Sequence, residues 1–159
     1  MIKNKDLLLL ANLRADSRMH LKEISRNTRI PVSTLYDRIK AKAGDSILRN
    51  SCLLDFDKLG FNVKAHVLFR VNKTDKENLR KFLIKSLNVN NMYKINNGYD
   101  FIVEFVFRTV SDMENYLEKM DQKFSIKTKD VHYIIEDLKR ESFLSDSALV
   151  PALFPEDSQ

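Results

Sequence analysis

Residues 21–40, LKEISRNTRIPVSTLYDRIK, parse as two short helices joined by a tight turn. In the first, Leu21, Ile24 and Ser25 fall at i, i+3 and i+4 and make one narrow inward face; Leu35 and Ile39 do the same in the second. Ile30 plugs the gap between them. Pro31 stands where the second helix begins, with φ already preset and no need of the N–H it lacks. Outward on the second helix remain Ser33, Thr34, Tyr36, Asp37, Arg38 and Lys40, a set that can donate and accept at base edges and phosphates. This is the pattern of a helix-turn-helix.

A two-helix corner with a polar outer face is common in small helical domains, so charge carries the distinction. Residues 1–50 hold eleven Lys/Arg against five Asp/Glu, a net of +6, while the whole chain is +5. The excess positive charge therefore sits entirely in the third of the chain that holds the helix-turn-helix, as a binder of the phosphate backbone requires. Lys42 and Arg49 join Tyr36 and Lys40 as phosphate contacts, leaving Ser33, Thr34, Asp37 and Arg38 for base edges.

At 159 residues, 43% hydrophobic and 31% charged, the chain suits one large or two small soluble domains. No apolar run approaches the ~20 residues of a membrane span. The opening MIKNKDLLLLANLR is too short in its apolar part for a signal peptide, so a cytoplasmic protein without membrane contact is expected. The lone Cys52 excludes an internal disulfide and reads as a small buried hydrophobe.

Ahead of the helix-turn-helix, a helix over about residues 5–13 is expected, capped by Asn4, with Leu7, Leu8, Leu10 and Ala11 inward. Four consecutive leucines exceed one stripe, and part of that face can meet a second subunit. After the recognition helix, residues 43–46 form a turn. Residues 47–54 read as a short wing of one or two strands, and 55–61 as a connector. From Asn62 the period becomes two: Val63, Ala65, Val67, Phe69 and Val71 share one strand face. A capping box at Thr74–Glu77 opens a helix with the stripe Leu79, Phe82, Leu83, Leu87. A strand at 89–95 leads to the Asn96-Asn97-Gly98 turn.

The second half repeats the first: Phe101, Val103, Phe105 and Phe107 alternate, a capping box follows at Ser111–Glu114, and Met113, Tyr116, Leu117, Met120 and Phe124 form a helical stripe. A last strand is expected over 129–137. The β-α-β-β-α-β order describes a ferredoxin-like unit over 62–140, an antiparallel sheet with two helices on one face. The class is α+β: a winged helix-turn-helix over 1–54, the connector, this unit, and a tail over 141–159. The open sheet face, showing Leu68, Ile102, Val106 and Ile134, is apolar enough to call for a second subunit. The tail, with Pro151 and Pro155 around an apolar stretch, either packs across a neighbouring subunit or hangs loose; its apolar content favours packing.

Together these features resemble the Lrp/AsnC family of feast/famine transcription regulators over about residues 4–140. The likeness is carried by Asp16-x-Arg18, Glu23-Ile24, Ser33-Thr34-Leu35 with Arg38-Ile39-Lys40, residues 54–60 (LDFDKLG) and Gly98-Tyr99-Asp100. It implies a sequence-specific regulator of double-stranded DNA, a homodimer joined through the second-domain sheets, assembly to tetramers or octamers, and a small effector such as an amino acid. By that likeness Gly98, Tyr99 and Asp100 match the loop beside the effector site; read alone, Gly98 makes the turn and the other two begin a strand. Three residues depart from the family pattern: Arg29 replaces a turn glycine, Pro31 a serine cap and Lys42 a core leucine.

Catalysis finds little support. There are three histidines, three glycines, no nucleophile elbow and no metal-ligand spacing, so no enzyme, cofactor or metal is expected. His66 and His132 should lie on neighbouring strands of the open face, as a pH-sensitive pair or as two separate surface histidines. Sirohaem decarboxylases resemble the same two-domain plan, but need a tetrapyrrole pocket and no basic recognition helix. A low-specificity architectural DNA-binding protein would use the same charges and differ only in its specificity ratio.

Overall fold

The computed structural model describes residues 3–42 and 45–155. They fall into two compact units, one built from the residues before 54 together with those after 137, the other spanning Leu54–Asp137. No described helix is long and apolar enough to cross a membrane.

The first unit contains α1 (Asn4–Ala15), α2 (Leu21–Thr28) and α3 (Val32–Lys42). Leu9, Ile24, Ile30 and Leu35 form its core, with Leu13, Met19, Leu21 and Ile39 packed around them. Helices α2 and α3 contribute through the stripes their spacing sets, whereas α1 contributes Leu9 and Leu13, outside the inner face expected for it, and Leu10 is only half-buried. Asn4 lies inside α1, and the position before it, Lys3, makes no side-chain cap. Pro31 is one place earlier than the first turn: its carbonyl accepts the Leu35 N–H at 3.0 Å, which makes it the cap residue. Between α2 and α3, Arg29 takes the left-handed conformation at φ 57°. A side chain there is strained, so Arg29→Gly is expected to stabilise the unit by about 0.5–1 kcal/mol, the relief being partly offset by glycine's greater unfolded-state entropy. Urea melts should show a raised midpoint at unchanged slope.

The expected wing does not form a ladder. Ile47 makes a single bridge and residues 48–55 have no regular structure, with Leu48, Leu53 and Leu54 exposed. Strands this short, with no sheet to cover their apolar side, fall below what holds a two-stranded ribbon together. Cys52 is exposed rather than buried. Of the turn expected at 43–46, Ala43 and Gly44 lie outside the described residues.

The tail turns back onto α1 of its own chain. A short helix, α6 (Val150–Leu153), buries Val150 against Leu7 and Ala11, with Leu8 and Leu144 alongside. Arg14 of α1 pairs with Glu141, and its Nε donates to the Phe143 carbonyl at 3.3 Å. The leucine run of α1 thereby serves two faces: Leu9 enters the three-helix core, while Leu7 and Ala11 meet the tail.

The second unit is a four-stranded antiparallel sheet of order β2-β3-β1-β4. Its elements are β1 (Val63–Val71), α4 (Lys76–Ile84), β2 (Val89–Lys94), β3 (Phe101–Phe107), α5 (Val110–Lys123) and β4 (Ile126–Tyr133). The alternation in β1 and β3 buries the expected apolar residues under Leu79, Leu83, Met113, Leu117 and Met120 of the two helices. Phe69 and Phe105 meet edge to face at 6.2 Å inside this core.

Both expected capping boxes shift. Asp75 precedes α4, but its carboxylate accepts the Ser125 N–H at 2.8 Å instead of capping the helix. For α5 the cap is Thr109, whose hydroxyl accepts the Asp112 N–H at 3.1 Å. Helix α4 stops at Ile84, which leaves Leu87 fully exposed beyond it. Strand β4 begins and ends earlier than its composition suggests, because it tracks β1. Pairing runs from Val71↔Ile126 to Ala65↔Tyr133, and where β1 runs out Ile135 is left exposed.

The open sheet face is more polar than expected. Leu68, Ile102 and Ile134 are half-buried and Val106 is buried, but His66 lies directly opposite both Glu104 and His132. Asn90 and Asn91 donate to the Glu104 carboxylate at 3.0 and 2.6 Å.

Candidate nucleic-acid interface and effector loop

Helix α3 separates the expected contact residues into two groups. Ser33, Tyr36, Asp37 and Lys40 are exposed, Thr34 is half-buried, and Arg49 is exposed on the irregular stretch after the helix. Arg38 and Lys42 turn back into the unit. The Arg38 guanidinium pairs with Asp6 of α1, and the Lys42 ammonium sits 3.9 Å from the same carboxylate and 3.5 Å from Asp45. The side chains of Asp6 and Arg38 are only 10% and 24% exposed, and Arg38 Nε is buried with no hydrogen-bond partner among the described residues. Both cations therefore brace α3 against α1 and leave the outward row. This also explains how Lys42 occupies a place where the family resemblance expects a core leucine: its ammonium is met by two carboxylates.

Asp6, which holds Arg38 and Lys42 of α3, is a bracing residue that periodicity alone does not reveal. Its only signal is an acidic side chain at the head of an apolar run. Asn12 is similar: buried in α1, it donates to the Leu8 carbonyl at 2.8 Å and accepts from Asn27 of α2 at 3.0 Å. Together Asp6 and Asn12 tie α1 to both helices of the helix-turn-helix.

In the second unit, Asn97 and Gly98 both take positive φ, 60° and 94°, in the turn between β2 and β3. A side chain at Gly98 would have room, so the glycine is needed for its backbone angle alone. The Tyr99 hydroxyl donates to Asp130 of β4, which raises its pKa above the usual tyrosine value, with desolvation adding to the effect. Asp100 accepts the Val71 N–H at 2.9 Å and an ammonium hydrogen of Lys76 on α4. Burial pushes the Asp100 carboxyl up, but Lys76, the Val71 N–H and Arg70 outweigh it and hold the group below 3.8. The stabilisation this gives is present above that ordinary value and is lost as pH falls below it, through the lower value at which the folded carboxylate takes up its proton. Wild type is therefore expected to lose more stability than Asp100→Asn as pH is lowered below about 3.8, read by urea melts. Thus Tyr99 and Asp100 clamp the hairpin to β4, β1 and α4.

No family model matches the chain. Its sequence is 23% identical over 141 residues to an HTH-type transcriptional regulator of Pyrococcus furiosus, covering 88% of this chain and 95% of that one. Its fold superposes on Bacillus subtilis LrpC with a TM-score of 0.77 at 18% identity, covering 87% of this chain and 98% of LrpC. A Neisseria meningitidis transcriptional regulator in its L-Met complex gives a TM-score of 0.81 at 13% identity, covering 88% and 94%. The curated relatives are named HTH-type transcriptional regulators, and the solved neighbours share this chain's two-unit fold. Its fold is also that of Escherichia coli AsnC, at a TM-score of 0.77 and 15% identity, in keeping with the resemblance along residues 4–140.

Proposed function

We propose that the chain is a sequence-specific regulator that binds double-stranded DNA as a homodimer through its second-unit sheets. On this reading it can build to tetramers or octamers, works in the cytoplasm, and responds to an amino acid or other small effector bound at an interface of the second unit, beside the Gly98–Asp100 loop. The observation that carries the DNA-binding part is the exposed row Ser33, Tyr36, Asp37 and Lys40 on a helix braced from behind by Leu35 and the Asp6–Arg38 pair. A brace of this kind keeps a reading surface in fixed register. A dimer would place two such helices at half-sites about one DNA turn, or a multiple of it, apart. The effector part draws support from the L-Met complex of the Neisseria meningitidis neighbour.

The test is fluorescence anisotropy with DNA from upstream of the chain's own gene and with a scrambled duplex, across a salt series. Preference for the upstream DNA, with affinity falling steeply with salt, supports the reading. Equal binding to both duplexes favours the architectural alternative, and absence of binding removes the recognition helix from the function. Lys40→Ala is expected to weaken both duplexes alike and to reduce the log–log salt slope by about 1, as loss of one phosphate contact does. Asp37→Ala should instead narrow the gap between the two.

A further inference from the structure

Beside the Gly98–Asp100 loop lies a groove of about 330 Å³ lined by Lys73, Lys76, Glu77, Arg80, Lys94 and Phe101. We propose that it binds a small dianion, a dicarboxylate or a phosphate-bearing metabolite, so that the effector of this regulator carries net negative charge. The proposal rests on the effector reading above and deepens it.

The charge balance of the groove carries the argument. Four cations face one carboxylate within it. Glu77 is paired with Arg80 at 3.0 Å, and Lys76 is paired with Asp100 while lying 6.0 Å from the centroid of the Phe101 ring. Lys73 and Lys94 are exposed and make no ion pair among the described residues. Two uncompensated ammonium groups therefore flank the groove, next to the first turn of α4, whose partial positive charge adds to theirs. The ammonium of a neutral amino acid finds no free carboxylate here: Asp100 already serves Val71 and Lys76, and Glu77 serves Arg80. A ligand with two anionic groups satisfies Lys73 and Lys94 together, and the volume lies at the small end of ligand sites.

The test is calorimetric titration of the full chain at about 0.15 M salt, where purely diffuse attraction is screened, with 2-oxoglutarate, inorganic phosphate, L-leucine and L-lysine as separate probes. The expected result is heat from 2-oxoglutarate or phosphate and none from the two amino acids, the tighter anion naming the source. The double variant K73Q/K94Q should weaken that binding about tenfold through loss of two charge-assisted contacts, with the melting of the second unit unchanged. Binding of L-leucine in place of the anions, no heat from any probe, or anion binding untouched by K73Q/K94Q would each overturn the proposal. So would a fall in DNA affinity for K73Q/K94Q with no anion bound, which would assign the groove to phosphate-backbone contact. Anion binding that leaves DNA affinity unmoved would keep the groove and remove the effector reading; L-leucine shifting DNA affinity would do the reverse.

Discussion

Arg38→Ala is expected to destabilise the first unit by about 2–4 kcal/mol, because it leaves the Asp6 carboxylate buried with its main partner gone. Lys42, at 3.9 Å, recovers only part of that interaction. The consequence for DNA is indirect. At temperatures where the variant is partly unfolded, upstream and scrambled duplexes should lose affinity by the same factor, since both need the folded unit. A base-reading arginine would behave otherwise: its removal would leave the melting curve in place and cost about 1–3 kcal/mol of discrimination against the wrong base. Circular dichroism melts of the first-unit transition, set beside anisotropy on both duplexes, separate the two roles. The double variant D6A/R38M supplies a control. Replacing both partners by apolar groups removes the stranded charge, so it should recover much of the stability that Arg38→Ala loses. An unshifted melt for Arg38→Ala, together with lost sequence preference, would return Arg38 to the reading surface.

Arg38 also shows where sequence reading stops. Residues 35, 38, 39 and 42 stand at i, i+3, i+4 and i+7, so spacing sets Arg38 and Lys42 on the side of α3 that carries Leu35 and Ile39; charge alone assigned them outward. What lets two cations sit on that side is Asp6, 32 positions before Arg38 and on another helix, a partner that no local pattern reveals. The strands of the second unit were legible for the opposite reason. In β1 and β3 one face packs on helices and the other does not, so a period of two is written directly into the residues. Strand β4 has a half-exposed, mixed pattern. Its register is set by β1, which is why the reading slid three residues at its start. The caps of α4 and α5 moved because Thr74 and Ser111 satisfy the same local rule as the neighbours that border the helices, and local rules cannot rank them. The loop at Gly98–Asp100 was legible as a turn, but its clamp on Lys76 and Asp130 spans elements far apart in sequence.

A chain ending at Asp137 should lose about 2 kcal/mol from the first unit while the second unit, whose core contains no tail residue, melts unchanged. The sequence left the tail between loose and packed on a neighbour; the structure seats Val150 on Leu7 and Ala11 of the same chain. Uncovering Leu7 alone forfeits about 1.5–3 kcal/mol of apolar burial, and Val150 and Ala11 add to it. Part of this is offset because the deleted residues no longer have to be ordered. The loss should extend beyond α1. Helix α1 carries Leu9 into the three-helix core and holds α3 through Asp6, so a looser α1 loosens the reading helix as well. The truncated chain should therefore bind upstream DNA more weakly as temperature rises, with a steeper fall than the full chain. Val150→Asp distinguishes docking from mere presence of the tail. A carboxylate cannot enter the Leu7–Ala11 site, but the tail can undock to keep it in water, so the cost is capped at the undocking free energy. The variant should thus match the truncation rather than exceed it. A Val150→Asp chain as stable as wild type would mean that the tail contributes nothing to α1, and that Leu7 and Ala11 are covered by something else.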